Sequence, residues 1–302
     1  MINYSIIIPH KNSVKSLLRL LHSIPDNQEF QVIIIDDNSK SIIQKELQKI
    51  EFNANIEIIF CEISKGAGGA RNIGLKHAKG KWLLFADSDD YFTNNFEDLI
   101  AQNLDSSADI IYFNTDSCNE SGEKSYRHFR YSKLVNNFLK YNKEQALRYF
   151  FTPPWAKMIN RKLIVDNNIS FDQVPASNDI MFSLRVAYHA KKIEASNEIL
   201  YIITLSTGSV TNVLSKSYFD SKFNVALKAN NFLCSIGMRK YQQSILYFLG
   251  KSSQFGFKYV AYVILMLIKN KSNIFIGADK FMRLSSVLRQ RENINYIIKK
   301  KD

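Results

Sequence analysis

No stretch of this sequence is apolar for long enough to cross a bilayer. The longest uninterrupted apolar run, Tyr259–Ile268, has ten residues between Lys258 and Lys269, and a spanning helix needs about 20. Met1–Pro9 carries no basic segment and no small-residue cleavage site, so no leader peptide is expected. Cysteine is scarce. Cys61, Cys118 and Cys234 are far apart and odd in number. That excludes a disulfide framework and a metal-ligand spacing, and leaves free thiols in a reducing cytosol as the expectation. The histidines His10, His22, His77, His128 and His189 show no ligand spacing either. Proline is absent beyond Ser215, and no segment repeats or is of low complexity. Glycine clusters at Gly66, Gly68 and Gly69. The spacing fits neither the phosphate loop of nucleotide triphosphatases nor the Gly-x-Gly-x-x-Gly turn of dehydrogenases.

What is present is a large apolar fraction, 46% of 302 residues, enough for one large domain or two small ones. The net charge of +12 is unevenly placed. Residues 213–302 hold 16 Lys and Arg against 4 Asp and Glu, whereas residues 1–212 balance at 24 each. The excess in the tail must face something anionic or be well solvated. Nucleic acid is not the expected partner, because the first 212 residues are neutral and contain no nucleic-acid module.

The first hundred residues alternate strand and helix patterns. Ser5–Pro9 is a β-branched run. Ser13 is a candidate cap for a helix whose Leu17, Leu21 and Ile24 share one face. Val32–Ile35 is followed by Asp36-Asp37-Asn38-Ser39, then by a helix over Ile42–Ile50 and a strand over Ile56–Cys61. Gly69–Ala78 is helical in pattern, with Gly80 as its expected left-handed cap. Trp82–Ala86 is a fourth strand, ending in Asp87-Ser88-Asp89-Asp90. This alternation implies an α/β fold with a mainly parallel sheet and helices on both faces. Ligands bind such sheets beyond the carboxyl ends of the strands, where both acidic clusters fall. Further along, Asp109–Phe113 is a strand, Cys118–Lys124 a hairpin tip and Lys143–Phe150 a helix. Asp179–Ala190 is an amphipathic helix, Ile193–Leu205 a strand, and several helices follow from about Ser215.

Asp87-Ser88-Asp89 carries the sharpest local chemistry. Mg²⁺ or Mn²⁺ takes hard oxygen ligands, commonly one or two carboxylates plus phosphate oxygens and waters. A cation held there would neutralise the charge that builds on a diphosphate leaving group. Alone, the motif also reads as an acidic turn, with Asp90 capping the helix after Thr93. A carboxylate of Asp36 or Asp37 can accept from a uracil N3–H or from ribose hydroxyls, or can simply close a polar turn. Arg71, at the glycine-rich helix start, can pair with a diphosphate. His10 and Lys11 follow the first strand and can touch the donor, although packing is the commoner role for such a histidine. Trp155 is either a sugar-stacking platform or a buried aromatic.

Four blocks in order resemble glycosyltransferase family 2: Ser5–Pro9 with Asn12, Ile33–Ser39, Ala70–Leu75 with Ala78–Gly80, and Leu84–Asp90. The resemblance covers roughly the first third of the chain. It implies a GT-A (nucleotide-diphospho-sugar transferase) fold with a mainly parallel central sheet. It implies inverting sugar transfer from a nucleotide-diphosphate donor, by family habit a UDP-sugar, with Mn²⁺ or Mg²⁺. Pro9 and Asp37 would line the nucleoside pocket, with Asp36 beside them, and Arg71 would lie near the donor phosphates. Asp87 would contact the ribose or the metal's water shell, with Ser88 next to it, and Asp89 would be the direct metal ligand. A second set, Trp155–Lys157, Asn168–Phe171 and Ser177–Phe182, resembles the family's acceptor region. There an acidic pair precedes a helix, and its Asp is the general base. Asp179 matches that Asp, and Asn178 replaces the commoner Glu. An ordinary carboxylate with a pKa of about 4 can take the acceptor proton at neutral pH. A helix N-terminus lowers that basicity, so partial burial is needed to offset it. Tyr201 and Gly208-Ser209 echo the end of the region.

The implied organisation is a catalytic domain over 1–212, with a donor half at 1–115 and an acceptor half at 116–212. A basic helical C-terminal region follows at 213–302. Helices that pair basic with apolar faces can lie on an anionic membrane surface. A lipid-linked or growing glycan as acceptor, at the inner face of a bacterial membrane, fits such a tail. So does a subdomain that buries its apolar faces on the catalytic core or on a second subunit. Similar proteins serve capsule, lipopolysaccharide and related surface-polysaccharide assembly. Two other readings compete. A nucleotidyltransferase would want a glycine-rich basic loop where Pro9-His10-Lys11-Asn12 stands. A catalytically weak scaffold is disfavoured by intact Asp87, Asp89 and Asp179.

Overall fold

The computed structural model describes residues 1–50, 55–205, 215–270 and 272. The chain divides into two compact units, Met1–Val174 with Asn178–Thr207, and Pro175–Ser177 with Gly208–Asp302.

The first unit is built on β1 (Tyr4–His10), β2 (Phe30–Asp36), β3 (Ile56–Phe60), β4 (Trp82–Phe85), β5 (Tyr91–Phe92), β6 (Ile110–Asn119), β7 (Lys157–Asn160) and β8 (Ile193–Leu205). Its helices are α1 (Val14–His22), α2 (Ser41–Gln48), α3 (Gly66–His77), α4 (Phe96–Ala101), α5 (Phe129–Tyr141), α6 (Glu144–Phe150), α7 (Arg161–Asp166) and α8 (Asn178–His189). The strands form one sheet in the order β3-β2-β1-β4-β7-β6-β8-β5. Pairing is parallel among β3, β2, β1 and β4 and between β6 and β8. Antiparallel β7 sits between β4 and β6, and β5 pairs antiparallel with β8. The sheet is therefore mixed, and the short β7 was not legible as a strand. Because β7 reverses twice, β6 runs in the direction of β4, and the carboxyl ends of β1, β2, β4, β6 and β8 share one edge.

The central strands are continuous apolar runs: Ile6–Ile8, Val32–Ile35, Leu83–Phe85 and Ile110–Phe113 are all buried. Runs without alternation are what a sheet covered on both faces requires. The hairpin tip is present, with an isolated bridge from Cys118 to Lys124 and Gly122 at φ +84°.

Two local expectations fail. Ser13 does not cap α1 through its side chain; its hydroxyl pairs with that of Ser16 at 2.6 Å. Gly80 is not a left-handed cap, since its φ is not positive. Ala78, in extended conformation, ends α3. Gly80 is needed for closeness instead. A Cβ there would lie 2.6 Å from the Ser5 backbone nitrogen. The Gly80 N–H donates to the Ser5 hydroxyl at 2.8 Å, beside the Lys79 N–H at 3.1 Å. The loop into β4 is thereby pressed against β1, which sets where β4 ends.

The second unit contains α9 (Lys216–Ser235), α10 (Leu246–Ser252) and α11 (Phe257–Lys269). Ser215 caps α9 by accepting from the Tyr218 N–H. Phe219, Phe223, Leu227, Ile245, Phe248, Val263 and Leu267 form its own apolar core. No described helix is long and apolar enough to cross a membrane.

Gly80→Ala is expected to destabilise the protein by about 1–3 kcal/mol through backbone overlap. A fall in the urea midpoint at unchanged slope would record it.

Candidate active site

The strand ends bring the first acidic cluster together with the end of β1, His10 standing opposite Asp36 in register and Pro9 opposite Ile35. Pro9 is half-buried there, beyond the last residue that β1 pairs with β4. Asp36 itself is fully enclosed. Its carboxylate accepts from the Ser39 N–H at 3.0 Å, the Ser39 hydroxyl at 2.5 Å and Gln44 Nε2 at 2.9 Å. His10 Nδ1 completes the set at 2.9 Å. Since His10 Nε2 accepts the Ser13 N–H at 3.2 Å, the ring proton sits on Nδ1, facing Asp36. Burial raises the Asp36 pKa, and these donors outweigh it and hold the carboxyl below its ordinary value. A residue expected beside the nucleoside pocket is thus committed to the turn itself.

Asp37 is also buried but reaches the next loop. Its carboxylate accepts from the Lys65 N–H at 2.6 Å, the Gly66 N–H at 3.1 Å and the Ser64 hydroxyl at 2.6 Å. Lys11 Nζ lies 3.5 Å from it and donates to Ser64 at 2.8 Å. Asp37 thereby anchors the glycine-rich start of α3. Further along that start, a Cβ on Gly68 would lie 2.3 Å from the Asp172 carbonyl oxygen. The glycine lets the chain around residue 172 lie directly on α3. Asn72 fastens the same chain by accepting the Phe171 N–H at 2.8 Å and donating to its carbonyl at 2.9 Å.

Arg71 is the hinge of the site. It is 5% exposed. One guanidinium nitrogen donates to Asp87 Oδ1 at 2.5 Å and another to Asn178 Oδ1 at 2.9 Å. The guanidinium lies 5.4 Å from the centre of the Phe171 ring, which stacks on Phe182 of α8 at 3.8 Å. The end of β4 is thus joined to the start of α8, where Asp179 sits in the first turn. Asn178 is a neutral acceptor here, so among the described residues Asp87 is the one carboxylate paired with Arg71.

The Asp87–Asp90 turn is held by residues far away in sequence. The Asp87 N–H donates to the Tyr201 hydroxyl at 2.8 Å, and that hydroxyl donates to Asp90. Asp90 is buried and accepts the Thr204 N–H at 2.7 Å; it caps no helix. Arg19 of α1 donates to the Asp89 carbonyl at 2.5 Å and to the Thr204 hydroxyl at 2.9 Å. Ser88 is half-buried within the turn. Nothing in the sequence marked Arg19, which reads as an ordinary helix-surface cation. Tyr201 was visible only as an echo of the family's pattern.

The carboxylates crowd one another. Asp89 is the exposed member of the turn; desolvation by the neighbouring chain, then the charge of Asp87, raises its pKa. Asp90 is pushed well above its ordinary value by burial, then by Asp89 and Asp87. Among the described residues no group of three or more His, Cys, Asp or Glu could hold a metal ion. A repelling pair of carboxylates still suits a hard divalent cation that completes its shell with phosphate oxygens and water. Burial likewise raises Asp179, opposed chiefly by Arg71. A base kept above the ordinary carboxylate range is a stronger proton acceptor.

Trp155 is buried, stacked on Tyr201 at 5.6 Å and edge-on to Tyr131 at 4.9 Å. It packs the wall under the turn and is not free to stack on a sugar. Gly208-Ser209 lies outside the described residues.

Residues 5–166 match the model of the family described as "Glycosyl transferase family 2". A poly(ribitol-phosphate) beta-N-acetylglucosaminyltransferase, TarS, of Staphylococcus aureus is 26% identical over 211 residues, 67% of this chain and 35% of that protein. A poly(ribitol-phosphate) beta-glucosyltransferase of Bacillus spizizenii is 27% identical over 217 residues, 65% of this chain and 31% of that protein. The chain thus spans about a third of the length of these relatives. An Escherichia coli UDP-Glc:alpha-D-GlcNAc-diphosphoundecaprenol beta-1,3-glucosyltransferase, WfgD, is 28% identical over 141 residues, 44% of this chain and 55% of that protein. Among solved structures, S. aureus TarS 1–349 in complex with UDP-GlcNAc superposes with a TM-score of 0.68 at 20% identity. That match covers 89% of this chain and 81% of the other, and the GT-A fold is the same.

Tyr201→Phe would leave the Asp87 N–H and the Asp90 carboxyl without their shared partner. It is expected to lower stability by about 1–3 kcal/mol, read from urea denaturation.

Proposed function

The chain belongs to glycosyltransferase family 2, and from that premise we propose that it is an inverting transferase using a UDP-sugar. The observation that carries this reading is the Arg71 bridge, which joins the strand-end carboxylate of Asp87 to Asn178 at the start of α8, the residue before Asp179. Asp179 takes the proton of an acceptor hydroxyl as its oxygen attacks the anomeric carbon. The bond from that carbon to the diphosphate breaks on the opposite face, and its electron pair leaves on the phosphate oxygen. Asp37 and Pro9 border the nucleoside end, and Arg71 supplies positive charge toward the phosphates. Mg²⁺ or Mn²⁺, held by Asp89 and Asp87, would neutralise charge on the departing nucleotide. The printed activities of the relatives, on ribitol-phosphate polymers and on a diphosphoundecaprenol-linked sugar, support a lipid-linked or growing surface glycan as acceptor.

An acceptor of that kind places the reaction at the cytoplasmic face of a membrane, and α11 supports contact with it. Phe257, Ile264, Leu265 and Ile268 share an exposed stripe of α11, flanked by exposed Lys258 and Lys269. Apolar and basic groups so arranged favour an anionic interface.

Release of UDP from a panel of nucleotide sugars, with and without Mn²⁺ or Mg²⁺, tests the donor half. One donor should be consumed, and Asp89→Ala should abolish its consumption. No binding of UDP by calorimetry in the presence of metal would overturn the reading. Asp179→Asn should lower transfer by about 10²- to 10⁴-fold while leaving UDP binding intact. Transfer should fall as pH drops through a value above 3.8, because the working form of Asp179 is the ionised one and its pKa is raised. Co-sedimentation with vesicles of phosphatidylglycerol should be lost on the paired changes Leu265→Asp and Ile268→Asp. Equal sedimentation of the pair would remove α11 from the membrane contact.

A further inference from the structure

Arg19, in the last turn of α1, is a cation that the proposed mechanism does not use. Its Nη2 donates to the Asp89 carbonyl at 2.5 Å and to the Thr204 hydroxyl at 2.9 Å. Its guanidinium lies 4.9 Å from the centre of the Tyr91 ring. The Thr204 N–H donates in turn to the Asp90 carboxylate at 2.7 Å. Arg19, Asp89, Asp90 and Thr204 thus close a circuit of contacts about the peptide that joins the two aspartates. The end of α1 is anchored beside it, where the Ser23 hydroxyl accepts the Phe92 N–H at 3.0 Å. Three carboxylates, those of Asp87, Asp89 and Asp90, lie in the turn that Arg19 touches, yet among the described residues neither Arg19 nor Asp89 forms an ion pair. The ring of Tyr91 and two fixed acceptors hold the guanidinium against the main chain instead. The Asp89 carbonyl is therefore taken, while its side chain stays exposed.

We propose that Arg19 is a positioning residue that fixes the Asp89 main chain, so that the Asp89 carboxylate meets a divalent cation in one orientation. The proposal rests on the assignment of Asp89 as the cation's ligand. A ligating carboxylate gains affinity when its orientation is set before the ion arrives, because less freedom is lost on binding. Two effects of Arg19 oppose each other. Its charge repels a cation bound nearby, and its hydrogen bonds hold the ligand in place. Around an exposed side chain the repulsion is screened by water and salt, whereas the hold on the carbonyl is direct, so the second effect prevails. The two effects differ in sign: loss of charge alone tightens cation binding, and loss of positioning weakens it.

Electron paramagnetic resonance of Mn²⁺ titrated into the full chain, with and without UDP, reads the free ion and needs no acceptor. The ion bound at the turn is the part lost in Asp89→Ala. Arg19→Met should weaken that binding by about tenfold or more. Arg19→Lys should recover most of it, because both contacts leave one nitrogen and an ammonium can make both. Thr204→Val keeps the charge and the N–H to Asp90. It should weaken binding by a smaller factor, and it carries the test if Arg19→Met fails to fold. In UDP release, Arg19→Met should need correspondingly more Mn²⁺ for half-maximal rate. Unchanged or tighter Mn²⁺ binding in Arg19→Met, or in Thr204→Val should the first variant not fold, would overturn the proposal whatever the urea midpoint, and would leave the transferase reading standing. A parent chain that binds no Mn²⁺ at the turn, with or without UDP, would overturn the assignment of Asp89 and this proposal with it; metal-free UDP release by that chain would keep the transferase reading.

Discussion

The buried guanidinium of Arg71 is the constraint on which the catalytic unit depends. It carries charge into the sheet edge, where an unpaired cation would be costly, and Asp87 and Asn178 each take one of its terminal nitrogens. Removing either partner would leave a buried group unsatisfied. The end of β4 and the start of α8 are therefore tied by one side chain, which lies over Phe171 as that ring stacks on Phe182.

Around this bridge the acidic residues divide by what surrounds them. Asp36 and Asp37 meet several donors each and hold turns and the start of α3. Asp87, Asp89 and Asp90 sit close enough to oppose one another's ionisation. Asp90 is buried against Thr204 and Tyr201, and burial raises it further, whereas Asp87 is half-buried and Asp89 exposed. One amino-acid type thus meets very different surroundings within one site, and the surroundings set its ionisation.

The replacement of the commoner Glu by Asn178 also becomes intelligible in these terms. The amide oxygen keeps the hydrogen bond to Arg71, so the geometry survives. A neutral side chain at 178 adds no repulsion to Asp179, whose carboxyl Arg71 holds down against the effect of burial.

The strands, their order in the chain and the two acidic strand ends were legible in the sequence, because a sheet covered on both faces demands unbroken apolar runs that stop at polar turns. The concentration of positive charge in the last ninety residues was legible too, since charge segregates along the chain itself. Contacts between distant residues were not legible. Arg19 clamping Asp89, Tyr201 joining Asp87 to Asp90, Gly80 pressed on Ser5 and antiparallel β7 between β4 and β6 have no local signature. Each couples positions separated by roughly forty-five to more than a hundred residues. Sequence by itself determined which groups could do chemistry; tertiary packing decided which carboxylates are spent on the fold and which remain for a ligand, because that depends on donors supplied from elsewhere in the chain.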